Sequence, residues 1–343
     1  MAILVCGGAG YIGSHAVRAL LEGGEEVVIV DNLLTGFAEA VPPGAEFYAV
    51  DVRDSEKLGA IFQKHDIGEV MHFAASSQVG ESVVKPLFYF NNNVYGMQSL
   101  LETMVRHGVG SIVFSSSAAV YGEPLVTPID EKAPIAPKSP YGESKAIMEK
   151  MMRWVGAAHK IRFASLRYFN VAGAIEGGAI GEAHAPETHL IPIVLQVPLG
   201  QRRNVTVFGD DYDTPDGTCV RDYIHVCDLV DAHLLALDYL RRGGESDRFN
   251  LGSEKGFSVM EIIRAAESVV GRIIPFSIGP RRAGDPDKLV ASSEKAKKIL
   301  GWTPRLTAAE EIIQSAWKWH SARPLGYKHN DQNKLKDQNR NEH

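Results

Sequence analysis

A tyrosine and a lysine are spaced four residues apart in the segment Tyr141-Gly142-Glu143-Ser144-Lys145. On the predicted helix Tyr141–His159, this spacing places both side chains on one face. A nearby ammonium group stabilises a phenolate, so Lys145 is expected to lower the pKa of Tyr141 from its reference of about 10. Such a tyrosine can remove or return a hydroxyl proton while a hydride passes to or from a nicotinamide ring. Taken alone, the spacing is also common on solvent-exposed helices.

Three consecutive serines, Ser115, Ser116 and Ser117, end the predicted strand Ser111–Ser116. In open α/β sheets, ligands bind at the carboxyl ends of the parallel strands. A hydroxyl group at this position can orient a substrate oxygen toward Tyr141. For two of the three serines, hydrogen bonds that satisfy the turn backbone are an equally good interpretation.

A glycine-rich turn follows the first predicted strand, Ala2–Cys6. Gly7, Gly10 and Gly13 have the spacing Gly-x-x-Gly-x-x-Gly and open the predicted helix Tyr11–Glu22. Glycines in such a turn let a pyrophosphate approach the backbone at the helix N-terminus. A plain packing turn is the alternative interpretation. A P-loop is excluded because no Gly-Lys-Ser/Thr follows the glycines.

The second predicted strand ends at Asp31, where a carboxylate can bind the hydroxyl groups of an adenosine ribose. This carboxylate would repel the 2′-phosphate of NADP. No arginine or lysine occurs within Asn32–Phe37 to offset that repulsion. The predicted cofactor is therefore NAD.

Short apolar segments alternate with helical ones through the first half of the chain. The predicted strands are Ala2–Cys6, Glu26–Asp31, Glu46–Asp51, Glu69–Phe73, Ser111–Ser116 and Arg162–Phe169. The predicted helices are Tyr11–Glu22, Ser55–His65, Asn92–His107 and Tyr141–His159. Strands that are apolar on both faces, separated by amphipathic helices, indicate an α/β doubly wound parallel sheet, the Rossmann-type NAD-binding fold.

The pattern changes after Asn170. Residues 174–189 are predicted to be a loop. They are followed by short strands (Val205–Phe208, Val220–His225, Arg248–Leu251) and helices (Asp228–Arg241, Val259–Val270, Ser293–Leu300, Ala308–Ser321). This predicts an NAD-binding domain over residues 1–173 and a smaller α/β substrate-binding lobe over 174–322, with a boundary that need not be strictly linear. Residues 323–343 are predicted to be a flexible tail.

The composition limits the class of protein. Of 343 residues, 36 are basic and 42 acidic, and the net charge of −6 gives no electrostatic drive toward nucleic acid or an anionic membrane. A hydrophobic content of 45% excludes a disordered chain. Three scattered cysteines argue against a disulfide framework. Neither a signal-peptide pattern nor a membrane-spanning apolar run is found, so a cytoplasmic protein is expected.

Two acids and two histidines, Glu182, His184, Glu187 and His189, fall within nine residues of the predicted loop. These residue types can ligate a metal ion. The segment contains a proline and lacks the helical register that would align the four ligands, and no His-Glu-x-x-His motif occurs. No metal site is therefore predicted.

Longer strings resemble the extended short-chain dehydrogenase/reductase family, in particular its UDP-glucose 4-epimerases, over roughly residues 2–322. A first group of matching strings is Gly7-Gly8-Ala9-Gly10-Tyr11-Ile12-Gly13-Ser14-His15, His72-Phe73-Ala74-Ala75, Val79-Gly80-Glu81-Ser82, Ser115-Ser116-Ser117-Ala118, Ser139-Pro140-Tyr141-Gly142 and Arg167-Tyr168-Phe169-Asn170. The glycine turn and Tyr-x-x-x-Lys belong to the whole superfamily. The more diagnostic group lies further along the chain and consists of Gly217-Thr218, Val220-Arg221-Asp222-Tyr223-Ile224-His225-Val226 and Arg281-Arg282-Ala283-Gly284-Asp285.

The resemblance implies NAD-dependent C4 epimerisation of a UDP-hexose, and a homodimer. It implies that Tyr141 is the base, that Lys145 tunes it and holds the nicotinamide ribose, and that Ser117 bonds the reacting hydroxyl. The implied NAD contacts are Gly7, Gly10, Tyr11, Ile12, Gly13, Asp31, Asn32, Asp51, Val52, Phe73, Ala74, Asn92, Tyr141, Lys145 and Tyr168. The implied nucleotide-sugar contacts are Ser117, Tyr141, Asn170, His189, Leu190, Phe208, Arg221, Arg282 and Asp285. Independently of the resemblance, the two arginines Arg221 and Arg282 have the charge and the hydrogen-bond donors to bind a diphosphate.

Four positions bear on binding contacts. Ser77, Ala119 and His189 stand where many members of the family carry lysine, threonine and asparagine. Leu289 lies near the position that gauges the C2 substituent of the sugar, and its intermediate size leaves the use of N-acetylhexosamines open. The alternatives are a 4,6-dehydratase or decarboxylase of the same family, or a non-catalytic NAD-binding protein. Dehydratases carry Asp-Glu where this chain has Ala118-Ala119.

Overall fold

The computed structural model describes residues 1–124, 126–282 and 285–327. Its central sheet has seven parallel strands in the order β11-β6-β5-β4-β1-β2-β3. The strands are β1 (Ala2–Cys6), β2 (Val27–Asp31), β3 (Glu46–Ala49), β4 (Ile67–His72), β5 (Ser111–Ser115), β6 (Arg162–Arg167), β7 (Asn170–Ala172), β8 (Val205–Phe208), β9 (Val220–Arg221), β10 (Tyr223–His225), β11 (Asp247–Asn250), β12 (Phe257–Ser258), β13 (Phe276–Gly279) and β14 (Lys288–Leu289).

Helices connect these strands and cover both faces of the central sheet. They are α1 (Tyr11–Glu22), α2 (Ser55–Lys64), α3 (Val79–Val84), α4 (Pro86–Tyr89), α5 (Gly96–His107), α6 (Pro140–His159), α7 (Leu190–Gln196), α8 (Val226–Arg241), α9 (Val259–Val270), α10 (Glu294–Leu300) and α11 (Ala309–Ala322). A π-helical turn spans Phe90–Tyr95, and 3₁₀ turns span Ala38–Ala40 and Ala118–Tyr121.

The central sheet is buried on both faces. Every residue of β1, β2 and β5 is buried, so these strands show no alternation of polar and apolar residues. One face packs against α1, α8 and α10, and the other against α2, α5 and α6. The prediction of a doubly wound parallel sheet is confirmed.

The second lobe has a separate hydrophobic core formed by α7, β8, α9 and α11. Small sheets β10-β7, β12-β9-β14 and β13-β8 accompany these helices. A capping box begins α9, because the Ser258 hydroxyl accepts the N–H of Glu261 and the Glu261 carboxylate accepts the N–H of Ser258. Residues 173–189 contain neither helix nor strand, as predicted.

Several predicted boundaries differ from the structure. The predicted strand Val220–His225 is divided at Asp222, whose buried carboxylate accepts N–H groups from Ser253 and Ala291. The short helices α3, α4 and α7 were not predicted. They contain four to seven residues each, too few to show a helical period.

The chain returns to the first sheet after entering the second lobe. β11 pairs in parallel with β6, and α8 packs beside α1 in the core of the first sheet. The Arg248–Leu251 strand, which was assigned from the sequence to the smaller lobe, therefore belongs to the central sheet. The division at residues 173 and 174 stays a prediction.

The predicted tail begins with packed residues. The ring of Tyr327 lies 4.8 Å from that of Trp319 and 5.0 Å from that of Phe37, centroid to centroid. Residues 328–343, the rest of the predicted tail, lie outside the described residues. In the described part of the chain, no helix has the length and apolar character needed to cross a membrane.

Candidate active site

A groove opens at the carboxyl ends of β1, β2 and β4. The connections from β1 and β4 lead in opposite directions along the sheet, and ligands bind at such switch points in open α/β sheets. The groove spans about 580 Å³ of space, part of which is open to solvent. Its lining residues are Gly7, Gly10, Val30, Asp31, Asn32, Leu34, Thr35, Val50, Val52, Phe73, Ala74, Ala75, Ser76 and Asn92.

The glycine turn passes so close to neighbouring backbone that side chains do not fit. Gly7 has φ +84°, and a Cβ atom there would lie 2.6 Å from the backbone nitrogen of Ala74. A Cβ atom on Gly13 would lie 2.0 Å from the carbonyl oxygen of Gly7. Gly10 is the N-cap of α1 and has only that carbonyl near its Cβ direction, at 3.3 Å. The turn thus brings the amino end of α1, with its free N–H groups, to the groove.

Asp31 is held at the groove wall by backbone donors. Its Oδ2 accepts the N–H of Ala9 at 3.0 Å, and its Oδ1 accepts the N–H of Leu33 at 2.8 Å. These bonds fix the carboxylate at the end of β2.

Asp51 lies behind the groove wall in a charged cluster. Arg53 donates to both of its carboxylate oxygens at 2.8 Å, and Asn32 Nδ2 donates to Oδ2 at 2.7 Å. Burial alone would raise the pKa of Asp51, but the bonds from Arg53 and Asn32 outweigh it and lower the pKa. Asp51 is therefore a carboxylate whose charge is already paired.

Eight of the fifteen predicted cofactor residues line the groove, namely Gly7, Gly10, Asp31, Asn32, Val52, Phe73, Ala74 and Asn92. The Tyr11 side chain turns away and donates to the carbonyl of Gly173 at 2.6 Å, and Ile12 packs into the core. Sequence reasoning missed Val30, Leu34, Thr35, Val50, Ala75 and Ser76. Their positions next to Asp31, Asp51 and Phe73 were the available signal.

Ser117 and Tyr141 meet at the exit of β5. Ser139 caps α6 by accepting the N–H of Gly142 at 3.1 Å, which places Tyr141 in the first turn of the helix. A Cβ atom on Gly142 would lie 2.6 Å from the carbonyl oxygen of Ala119, so glycine lets α6 approach the 3₁₀ turn after Ser117. Burial raises the pKa of Tyr141, and a hydrogen bond with the Ser117 hydroxyl acts in the opposite direction.

Lys145 is buried one helical turn beyond Tyr141. Its Nζ donates to the carbonyl of Ser115 at 2.7 Å and lies 4.8 Å from the centroid of the Phe114 ring. Burial lowers the pKa of Lys145 to about 7, although Glu149 acts to raise it. Burial of the phenol dominates the pKa of Tyr141 in this structure, and the effect of Lys145 on that pKa stays a prediction.

The other two serines bond to structural partners. Ser115 Oγ lies 2.6 Å from Tyr168 Oη and 3.1 Å from His233 Nε2. Ser116 donates to Glu149 Oε1 at 2.6 Å, and Arg167 forms an ion pair with the same carboxylate. Sequence reasoning missed Glu149 as a positioning residue. Its spacing of four residues from Lys145 on α6 was the signal.

The residues predicted to bind a nucleotide-sugar form contacting pairs in the second lobe. Arg221 forms an ion pair with Asp285, and the Arg282 guanidinium lies 4.2 Å from the centroid of the Phe208 ring. Asn170 donates from Nδ2 to the carbonyl of Asp222 at 3.1 Å, adjacent to Arg221. Ala283 and Gly284, which separate Arg282 from Asp285, lie outside the described residues.

Leu289 links this region to Ser117. It is the register partner of Arg221 where β14 pairs with β9. Its side chain packs on a cluster that contains Ala118 and Tyr121, directly after Ser117. The position predicted to gauge the sugar therefore lies between the arginine and the serine.

His189 and Leu190 begin α7, with His189 as the N-cap residue. The side chain of His189 faces Glu187, His184 and Glu182, and one possible ligand atom from each of these four side chains lies within 4.8 Å of the others. The expectation that this loop could not align the four side chains is wrong. A turn without helical register brings them together.

The family model described as "NAD dependent epimerase/dehydratase family" matches residues 3–252. The UDP-glucose 4-epimerase of Streptococcus mutans serotype c is 57% identical over 333 residues, which cover 96% of this chain and 100% of that protein. The chain belongs to this family, among its UDP-glucose 4-epimerases.

Solved structures of this family agree with the fold. A crystal structure of a UDP-glucose 4-epimerase with 55% identity has a TM-score of 0.95 and covers 96% of this chain and 100% of that one. The UDP-glucose 4-epimerase of Bifidobacterium longum, solved in complex with NAD⁺ and UDP, is 40% identical with a TM-score of 0.89 and covers 95% and 100% of the two chains.

Proposed function

We propose that this chain is an isomerase that interconverts UDP-galactose and UDP-glucose by inverting C4 through a 4-keto intermediate, with NAD as cofactor. The observation that carries this proposal is the contact of Tyr141 with Ser117 at the exit of β5, beside the groove that holds Asp31 and the glycine turn. Family membership supports the reaction type.

In this proposal, Tyr141 removes the proton of the 4-hydroxyl group and later returns it. Ser117, whose hydroxyl group lowers the pKa of the neighbouring Tyr141, orients the same sugar oxygen. When bound, NAD supplies the acceptor and donor for the C4 hydride, so the cycle is redox-neutral. Lys145 uses one N–H on Ser115, which leaves its other donors for the nicotinamide ribose. The 4-keto sugar must rotate within the site between the two hydride transfers, so the site holds the sugar loosely.

The groove fits NAD because it combines a backbone anion site with a ribose acceptor. The missing Cβ atom of Gly10 leaves room for the pyrophosphate, Gly7 lets the turn pass against the backbone of Ala74, and the amino end of α1 supplies N–H donors. Asp31 accepts the adenosine ribose hydroxyls. We assign the remaining predicted NAD residues to the walls of the same site, with Tyr11 and Ile12 contributing backbone and Asp51 and Tyr168 supporting the walls.

The nucleotide part of the substrate is assigned to the second lobe. Arg221 and Arg282 neutralise the diphosphate, and Phe208, which is 37% exposed, stacks on the uracil. Asp285 orients Arg221 through their ion pair. Asn170, His189 and Leu190 complete the proposed contacts. Because the chain carries a net charge of −6, these arginines must attract the dianion locally.

The main competing reaction is dehydration by a 4,6-dehydratase. That reaction needs an acid and a base to remove water across C5 and C6. The two residues after Ser117 are Ala118 and Ala119, in the 3₁₀ turn that faces Tyr141 through Gly142. Neither can transfer a proton, which favours epimerisation.

We propose a homodimer in the cytoplasm. The outer faces of α5 and α6 form an apolar groove lined in part by Leu101, Val105, Met151 and Val155, and Trp154 beside it is 70% exposed. A second copy would cover this surface. The three cysteines are free, in keeping with a reducing compartment.

One assay tests the reaction. The purified chain is mixed with UDP-galactose without added NAD, and the products are separated by chromatography. UDP-glucose is expected, whereas a 4-keto-6-deoxy product would indicate a dehydratase and loss of CO₂ from UDP-glucuronate a decarboxylase. Bound NAD without turnover would indicate a non-catalytic protein.

The same assay with UDP-N-acetylglucosamine tests whether Leu289 leaves room for the N-acetyl group.

A further inference from the structure

A cluster of two histidines and two glutamates lies in the loop before α7, outside the catalytic contact. We define the loop cluster as Glu182, His184, Glu187 and His189. The loop is fixed to α11, because Trp319 Nε1 donates to the carbonyl of Glu182 at 2.9 Å. The cluster is thus built on a supported backbone.

The spacing of the donor atoms matches a small coordination sphere. Glu182 Oε1 lies 3.2 Å from His184 Nδ1 and 3.1 Å from His189 Nδ1. Glu187 Oε1 lies 2.9 Å from His189 Nδ1, and Glu187 Oε2 lies 3.5 Å from His184 Nδ1. A tetrahedral Zn²⁺ ion with bonds of about 2.0–2.1 Å separates its ligand atoms by about 3.3 Å. One ligand atom from each of the four side chains lies within 4.8 Å of the others, so the side chains can close around such an ion after small rotations.

The environment of the cluster favours a bound cation. The Glu182 and Glu187 side chains are only 4% and 6% exposed, so their negative charges need a cationic partner within the cluster. His184 Nδ1 is shielded from solvent and has no partner in hydrogen-bond geometry among the described residues. It points between the two carboxylates, where an ion would sit.

Hydrogen bonds already orient one of the carboxylates. Glu187 Oε1 accepts the backbone N–H groups of Thr188 and His189, both at 2.8 Å. Its other oxygen faces His184. Such supporting bonds are a usual feature of protein metal sites, because they hold the ligand in position before the ion arrives.

We propose that the loop cluster is a binding site for a divalent transition-metal ion, with Zn²⁺ the best match. Two imidazoles and two carboxylates suit zinc, whereas Mg²⁺ and Ca²⁺ take oxygen ligands. Two neutral imidazoles and two carboxylates carry a charge of −2, which the ion neutralises. Four protein ligands complete a tetrahedral site, so the ion is structural and supplies no step of the reaction.

The bound ion would fix the start of α7. His189 is both a member of the loop cluster and the N-cap residue of α7. At the other end, the His184 ring lies edge-on to that of Tyr11, 6.4 Å between centroids, beside the glycine turn. The ion would thus tie the second lobe to the groove of the first sheet.

The competing explanation is an ion-pair network of protonated histidines with the same two glutamates. The direct test is metal content. The full-length chain is purified, stripped with a chelator, loaded with ZnCl₂ and dialysed, and zinc is counted by mass spectrometry. One zinc per chain is expected for the parent, and a loss of at least about 10-fold in affinity for His184→Ala and for His189→Asn. His159→Ala, at the exposed end of α6, is the matched control.

Two further measurements separate a metal site from an effect on folding. Circular dichroism and NAD binding establish that each variant is folded. Zinc should raise the Tm of the parent and of His159→Ala, reversibly with chelator, and leave the Tm of His184→Ala unchanged. Bound Co²⁺ should show the strong visible absorption of a tetrahedral site. Substoichiometric zinc in the parent, or equal zinc retention in folded His184→Ala and His159→Ala, would overturn the proposal whether or not the chain is an epimerase.

Discussion

Lys145 donates a hydrogen bond from Nζ to the carbonyl oxygen of Ser115, the last residue of β5, at 2.7 Å. This bond joins the first turns of α6 to the carboxyl end of the strand. It therefore holds Tyr141, one helical turn earlier, next to Ser117, two residues later. The lysine positions the tyrosine in the described structure, and its own charge is weakened by burial.

The first prediction concerns the base. Tyr141→Phe should retain NAD and lower kcat by about 10²–10⁴-fold, because the proton acceptor is removed while the ring packing is preserved. The control is Tyr239→Phe, whose hydroxyl bonds to Glu245 far from the groove. Turnover of UDP-galactose measures both. A Tyr141→Phe rate within threefold of the parent would show that another group is the base.

The second prediction concerns the pH profile. The hydrogen bond with Ser117 opposes the rise in the pKa of Tyr141 that burial causes. Ser117→Ala should therefore move the acidic limb of kcat to higher pH, by about one pH unit if the bond contributes 1.5 kcal/mol. Ser117→Thr keeps the hydroxyl and should restore the parental limb. A limb that stays in place in Ser117→Ala would contradict this role.

The third prediction concerns the glycine turn. Gly10→Ala meets only the Gly7 carbonyl, at 3.3 Å, so the fold should survive, but the new methyl group occupies the groove. NAD affinity should fall at least about 10-fold because the pyrophosphate loses its approach to the backbone. Gly110→Ala, which meets nothing within 4 Å, is the control. Titration of stripped protein with NAD decides the outcome, and equal affinities for both variants would remove Gly10 from the site.

The fourth prediction concerns the diphosphate. Arg282→Met should raise KM for UDP-galactose about 10- to 100-fold with a smaller change in kcat, because a charge-assisted hydrogen bond to the nucleotide contributes about 1.5–3 kcal/mol. Arg272→Met, at an exposed position after α9, is the control. An unchanged KM, or a loss confined to kcat, would be incompatible with a role in nucleotide binding.

The fifth prediction concerns acid stability. Burial, with a smaller contribution from Lys145, lowers the pKa of His72 to about 3. The unfolded chain binds this proton below about pH 6.5 and the folded protein does not until about pH 3, so the free energy of unfolding falls as the pH drops through that window. Between pH 7 and 5, the free energy of unfolding measured by urea denaturation should fall by about 2 kcal/mol less in His72→Leu than in the parent. Parallel losses in the two proteins would show that His72 is protonated in the folded state.

Much of the fold could be predicted because the buried strands have a strong local signal. The predicted ends are correct for four elements, β1, α1, β8 and α9. A glycine turn lies between β1 and α1, a capping serine precedes α9, and β8 alternates between two apolar valines and other residues. The pairing of β11 with β6 could not be predicted. Nothing local in Asp247–Asn250 indicates which sheet it joins.

The candidate site likewise has parts that the sequence predicts and parts that it does not. The contact of Tyr141 with Ser117 follows from two local motifs, the serines at a strand exit and the start of a helix. The burial of Tyr141 and Lys145, which dominates the pKa of each, could not be predicted because it depends on packing that no motif shows. The loop cluster was dismissed because its four members lack helical register, but a turn can align ligands that have no periodic spacing.

The position of β11 has a consequence for biosynthesis. The outer edge of β6 stays open until the chain has been made through Asn250, because β11 covers it. While the chain emerges from the ribosome, the first six strands therefore expose an edge with unpaired N–H and C=O groups that could join a neighbouring chain. The amino-terminal half cannot complete its own sheet, and the last strand closes it only after part of the second lobe has been synthesised.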